Sequence, residues 1–233
     1  MPVATTPSTD HDARLRRGRR WWDLAARTHY GLIDRLSTPI RDLALPHLDL
    51  HAGDSVLDIG CGTGAALPVL RAAVGPYGRV VGVDYSPRMI AAAQTRVTRH
   101  AWTNVEIHRA DITRAPLGHG QFDAAVAISS LSATPDIRAA VHQAHAALRA
   151  GGRLFVFDMR LVPTGPRMTR IITRLARLVY RGLAGFTGDD VLAELRDVFA
   201  TVEPVLPVAK TGGMITVVLA TKAAQSESAS PAT

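Results

Sequence analysis

Asp58 and three glycines carry the clearest chemistry in this chain, within the run Val56-Leu57-Asp58-Ile59-Gly60-Cys61-Gly62-Thr63-Gly64. Val56, Leu57 and Ile59 form the short apolar run expected of a strand buried on both faces of a parallel sheet, and Ala65 to Val74 reads as a helix. A strand passing through glycines into a helix N-terminus makes a nucleotide-binding turn, because glycine permits unusual dihedrals and lets a ligand lie against the backbone. The spacing is G-x-G-x-G with Asp58 two residues before Gly60, not the G-x-G-x-x-G of dinucleotide folds, which disfavours a nicotinamide-dependent reductase. A second apolar run, Arg79 to Asp84, ends in a carboxylate about twenty positions after the glycines, where it can accept hydrogen bonds from both hydroxyls of a ribose.

Five stretches follow one another in order: VLDIGCGTG, VVGVDYSPRMI, RADITRAPL, FDAAVAISSL and LRAGGRLFVFD. Together they resemble the ordered motifs of class I S-adenosylmethionine-dependent methyltransferases, and within that superfamily the ubiquinone/menaquinone-biosynthesis (type 11) group. The resemblance spans roughly residues 19 to 222. It implies S-adenosyl-L-methionine as cofactor and a Rossmann-like α/β fold: a seven-stranded, mostly parallel sheet with an antiparallel last strand and helices on both faces. It also implies roles. Asp58 and the loop Gly60, Cys61, Gly62 and Gly64 would meet the amino-acid part of the cofactor, Cys61 as a small filler within the loop. Asp84 would hold the ribose, Tyr85 and Met89 would line one adenine face, and Asp111 with Ile112 would meet the adenine amino group. Ser129 would face the methionine part.

The elements that must position these residues alternate strand and helix, which implies a parallel sheet covered on both faces. Strands are expected at 105–109, 122–128 and up to Asp158, with an antiparallel closing pair near 201–208 and 213–221. Ser86 and Pro87 supply an N-cap and first-turn pair for a helix reaching His100. Further helices are read at 22–36, 40–48, 135–149 and 189–199. Residues 1–18 are expected to be a disordered basic tail, 19–222 a single domain with cap helices at 19–50 and a lid insertion at 160–187, and 223–233 a second disordered tail.

Segments able to cover the strand ends supply the acceptor-side candidates. Tyr30 sits where the related enzymes often carry a tyrosine beside the methyl donor. His29 is the local candidate for a base, and Asp158 and Arg160 stand at the end of the fifth strand, near where an acceptor would enter. No clustered His, Cys or carboxylate spacing suggests a metal, and His142 and His145 are read as structural or solvated. From 167 to 181, Arg167, Arg170, Arg174, Arg177 and Arg181 form one stripe of a helix, and Met168, Ile171, Ile172, Leu175, Leu178 and Val179 another. That helix reads as a lid, an interfacial membrane anchor or a plain surface helix.

Composition sets the remaining bounds. The 233 residues suit one sizeable α/β domain, and a single cysteine rules out an internal disulfide and fits a reducing cytoplasm. No apolar run approaches the roughly 20 residues that span a bilayer. The net charge of +7 reads first as arginine serving as the default solvated residue of an Ala/Arg-rich chain, and otherwise suits nucleic acid, an anionic membrane or an acidic substrate, while no nucleic-acid module accompanies it. The expectation is a cytoplasmic methyltransferase, with peripheral contact to anionic membrane left open, acting on a small, largely apolar acceptor such as a lipid, quinone or aromatic metabolite. The alternatives are a membrane-associated phospholipid N-methyltransferase and a non-catalytic S-adenosylmethionine-binding protein.

Overall fold

The structure, a computed structural model, describes residues 9–28, 38–160, 162, 167–184, 189–207 and 214–224. Two helices, α1 (Thr9–Thr28) and α2 (Thr38–Leu48), precede the sheet. Then come β1 (Ser55–Ile59), α3 (Leu67–Val74), β2 (Arg79–Asp84), α4 (Pro87–Arg99), β3 (Val105–Arg109) and β4 (Phe122–Ile128). A single 3-10 turn (Leu131–Ala133) leads to α5 (Ile137–Ala147), β5 (Leu148–Met159), α6 (Arg167–Ala184), α7 (Val191–Val198), β6 (Thr201–Leu206) and β7 (Ile215–Thr221).

The seven strands lie in the order β3-β2-β1-β4-β5-β7-β6. β7 is antiparallel to both its neighbours and the other strands run parallel, so the expected sheet is the one formed. Strand order reverses between β1 and β4, the place where ligands bind in such sheets. β1 is hydrogen-bonded on both sides and covered on both faces, which explains its unbroken apolar run.

Side-chain alternation sorts the strands into two cores. Leu57, Ile59, Val81, Val83, Leu154 and Val156 face one way, against Ile137 and Val141 of α5 and Leu195 of α7. Val56, Val80, Ala124, Val126 and Phe155 face the other way, against Ala44 and Leu48 of α2 and Leu67 and Leu70 of α3. Asp58 shares the parity of Val56 and so belongs to the α2 side. A register slip of one residue would put this carboxylate in the α5/α7 core.

Residues 9–18 are helical, where the sequence had suggested a disordered tail. The physical reason lies in pairs too distant to read along the chain. Asp10 and Asp12 occupy the first turn, where carboxylates suit the helix dipole, and Asp10 also meets Arg14 one turn on. His11 and Asp12 then reach Asp111 and Arg114 across the fold. The expected helix at 22–36 is thus the C-terminal half of α1 as far as Thr28, and its remainder lies outside the described residues, as does 225–233.

α6 packs on α1, but its apolar stripe faces solvent: Leu178 is 68% exposed, and Met168, Ile171, Ile172, Leu175 and Val179 are exposed as well. The buried residue of this helix is Thr173, at 1% exposure, on a third face of small side chains with Thr169 and Ala176 beside it. No helix among the described residues is long and apolar enough to cross a membrane.

Candidate functional site

One pocket opens at the C-terminal ends of β1, β2, β3 and β4. Asp58, Gly60, Cys61, Gly62, Asp84, Tyr85, Met89, Asp111, Ile112 and Ser129 all line it. Gly64 stands behind them in the turn, where its φ of +78° and a would-be Cβ 2.5 Å from the Leu67 side chain leave room only for glycine. Gly60 is held more tightly still. Its φ is +66°, and a Cβ there would lie 2.3 Å from the Cβ of Ser130.

The carboxylates differ in how they are held. Asp84 accepts from the backbone N–H of Gly62 at 3.0 Å and of Ser86 at 2.8 Å, which fixes it between the glycine turn and the start of α4. Burial raises its pKa, and these backbone donors oppose the rise. Asp111 accepts from the backbone and hydroxyl of Thr113 through Oδ1, while His11 Nε2 lies 2.9 Å from its Oδ2. Asp58 is different. It is 3% exposed, and its Oδ2 is buried with no hydrogen-bond partner among the described residues. Burial, with Asp84 nearby, pushes its pKa up to about 7, although the Arg41 guanidinium pulls the other way.

A buried carboxylate oxygen facing a pocket without a donor is costly unless something cationic arrives. The ammonium of an amino acid would satisfy it. Arg41, buried in α2 and lining the same pocket, is the natural counterpart for an amino-acid carboxylate. With the glycine turn between them and Asp84 placed for a ribose, the residues present fit S-adenosylmethionine.

Other side chains close the pocket. Ser129 has φ +54° and its N–H donates to the Phe157 carbonyl at 2.7 Å, so the chain bends sharply after β4 and brings Ser129 to the wall. Cys61 is buried, its Sγ 3.0 Å from where a Gly82 Cβ would sit, and burial beside Asp58 and Asp84 raises its thiol pKa. A thiol so placed is a filler, not a nucleophile. Helix α1 covers the pocket on the side of Asp111 and Ser86. Leu15 lines the pocket, and Asp23 accepts from the Ser86 hydroxyl at 2.7 Å. Replacing His11 by Ala should speed amide exchange in α1 and leave the central strands protected. S-adenosylhomocysteine affinity should fall by no more than about tenfold, since one hydrogen bond is worth roughly 0.5–1.5 kcal/mol.

Two acceptor-side candidates, Asp158 and Arg160, are held by partners within the fold. Asp158 is 0% exposed and stands directly behind Ser130 of the pocket lining. It accepts from the backbone of Ser130 at 3.2 Å, Ser132 at 3.1 Å and Met159 at 2.7 Å, and from the Ser132 hydroxyl. Its work is to pin the bend after β4. Arg160 donates from Nε and Nη2 to the Asp190 carboxylate at 3.2 and 2.9 Å, and Asp190 in turn caps α7 by accepting from Leu192. That pair joins the end of β5 to α7. His29 and Tyr30 lie outside the described residues. His145 packs edge-on against Phe199, with ring centroids 5.1 Å apart. Among the described residues no group of His, Cys, Asp and Glu side chains is placed to hold a metal ion.

Arg41 and Ser130 were not picked out from the sequence. Arg41 gave only a faint signal, a lone arginine in the apolar stretch Ile40 to Leu45; Ser130 gave none beyond its place after a strand.

Comparison with known proteins agrees with this geometry. The profile of a methyltransferase-domain family matches residues 56–152. The chain is 31% identical over 185 residues to 27-O-demethylrifamycin SV methyltransferase of Amycolatopsis mediterranei, covering 79% of this chain and 65% of that protein. It is 29% identical over 145 residues to demethylmenaquinone methyltransferase of Lactococcus lactis, covering 62% of this chain and 56% of that protein. The chain thus spans 65% and 56% of the length of these curated relatives. Geranyl diphosphate C-methyltransferase from Streptomyces coelicolor, solved with Mg2+, geranyl-S-thiolodiphosphate and S-adenosyl-L-homocysteine, has the same fold. It superposes with a TM-score of 0.63 at 16% identity, over 80% of this chain and 76% of that one. A methyltransferase-domain match that begins on β1, relatives that are themselves methyltransferases, and a strand-end pocket whose residues fit an adenosyl sulfonium agree in marking residues 56–152 as a methyltransferase domain.

Proposed function

We propose that the protein transfers a methyl group from S-adenosylmethionine to a small, largely apolar acceptor of the lipid, quinone or aromatic-metabolite kind. The observation that carries the reading is the buried, unpartnered Oδ2 of Asp58 in a pocket that also holds Arg41 and ends at Asp84 and Asp111. Support for the acceptor class comes from the relatives, whose names specify a quinone and a rifamycin. The cofactor supplies an electrophilic methyl group on a sulfonium. The chain's own contribution is positioning and water exclusion: Asp58 and Arg41 hold the amino-acid end, Asp84 the ribose, and α1 covers the adenine end. His29, Tyr30, Asp158 and Arg160 are the proposed acceptor-side residues, the last two also serving as structural anchors. A carboxylate or phenolate acceptor would need no strong base.

Incubation with S-adenosylmethionine labelled in the methyl group, followed by extraction of lipids, quinones and small aromatics, tests this. Label in an apolar extractable product is expected. Tight binding of S-adenosylhomocysteine with no label in any fraction would instead describe a non-catalytic binder. A second reading, transfer to a phospholipid amine at a membrane surface beside a peripherally associated protein, is favoured by the exposed apolar stripe of α6. Label in phosphatidylethanolamine-derived lipid would select it.

A further inference from the structure

We infer that the outer face of α6 is a docking surface for an anionic lipid bilayer. At 3.6 residues per turn the helix divides into three faces. Thr169, Thr173 and Ala176 form the face nearest the protein, with Thr173 at 1% exposure. Met168, Ile171, Ile172, Leu175, Leu178 and Val179 form a continuous apolar face exposed to solvent. Arg167, Arg170 and Arg174 are exposed along its edge, and no acidic residue occurs anywhere in α6. Large aliphatic side chains gathered on one exposed face are expensive in water, and this helix pays the cost although a small-residue face was available to turn outward.

Charge complementarity names the occupant. An apolar face edged by arginines matches the boundary of an anionic leaflet, where the aliphatic groups enter the acyl region and the guanidiniums remain among phosphates. The chain's net charge of +7 acts in the same direction at longer range. A second copy of the chain fits worse, since pairing two such faces would bring arginine rows together without a carboxylate on either helix. The helix is also tied to the cofactor pocket. α6 packs on α1, and α1 reaches Asp111 through His11 and Ser86 through Asp23, so a docked α6 sets the orientation of the pocket to the bilayer. The surface rests on α6 alone and holds whether or not methyl transfer is shown.

Flotation of the full chain with vesicles tests it, comparing phosphatidylcholine alone with phosphatidylcholine containing phosphatidylglycerol. Binding to the anionic vesicles only, weakening as salt is raised, is expected. Arg170→Gln with Arg174→Gln should weaken it about thirtyfold, since each arginine near the surface contributes roughly fivefold. Leu175→Ser with Leu178→Ser should weaken it by at least about tenfold through lost apolar insertion. Both pairs are exposed and lie away from the cofactor pocket, so S-adenosylhomocysteine affinity should be unchanged and serves as the check on folding. Absence of flotation at low salt overturns the proposal, as does flotation that both pairs leave intact. A wild-type dimer in sedimentation velocity that the leucine pair converts to monomer would assign the face to a second copy and overturn it too.

Discussion

Replacing Asp58 by Asn should lower the affinity for S-adenosylhomocysteine about a hundredfold, because truncating one partner of a buried charge pair typically costs about 2–5 kcal/mol. The wild-type pH dependence should be as informative as the loss. Burial and Asp84 hold the Asp58 pKa near 7 in the free protein, so below that pH the carboxyl is mostly protonated and cannot pair with an ammonium. Affinity should therefore rise roughly tenfold from pH 6 to pH 8, with release of a proton on binding at pH 6–7. In the Asn variant that rise should vanish. The stability of the free protein should move the opposite way. An acid whose folded pKa is raised above its unfolded value near 3.8 favours folding most below that value, and the contribution is lost as pH rises through about 7. The Asn variant should thus melt at pH 8 no lower than wild type, which separates a binding defect from a folding defect. Calorimetric titrations across pH, paired with thermal melts, read both. An unaltered affinity in the variant would remove Asp58 from the site.

The parts of the site that were legible in the sequence are those for which local chemistry and fold position coincide. Gly60, Gly62 and Gly64 had to follow a buried strand, since a glycine turn serves a ligand only at a strand end. Asp84 was legible because it closes an apolar run and Asp111 because it follows the next strand, Val105–Arg109, and in a parallel sheet such strand ends gather at one edge. Arg41 was not, because its nearness to Asp58 arises from the parity of β1, which turns the carboxylate toward α2 across seventeen residues of chain. The start of α1 was hidden for a related reason. Residues 9–18 bury little of their own, and their order depends on Asp111 and Arg114, about a hundred positions away. In α6 the periodicity gave two stripes, but left open whether the apolar one covers a pocket, meets a membrane or lies on the surface. Only the packing of Thr173 and Ala176 toward the protein reveals that it faces out.

A carboxylate at a strand end is what a catalytic acid looks like from sequence, Asp158 is also a buried structural anchor, and its substitution should tell the two roles apart. Four donors converge on it: the backbone N–H groups of Ser130, Ser132 and Met159, and the Ser132 hydroxyl. Burial raises its pKa while these donors oppose the rise. Replacing it by Ala leaves those groups buried without an acceptor, at about 1–3 kcal/mol for each unsatisfied group that cannot find another. Some relaxation is expected, so a net loss of about 3 kcal/mol is a reasonable figure, or a fall in Tm of roughly 6–12 °C for a chain this long. The consequence for the site follows from contact. Ser130 presses on the glycine turn at Gly60, and Ser129 lines the pocket wall, so a loosened bend after β4 releases the glycine turn of the pocket. S-adenosylhomocysteine affinity should therefore fall together with Tm, and Asp158→Asn, which keeps one acceptor oxygen, should recover part of both. A catalytic acid would behave otherwise: its Ala variant would bind the cofactor and melt like wild type while losing turnover, and that result would give Asp158 the acceptor-side role alone.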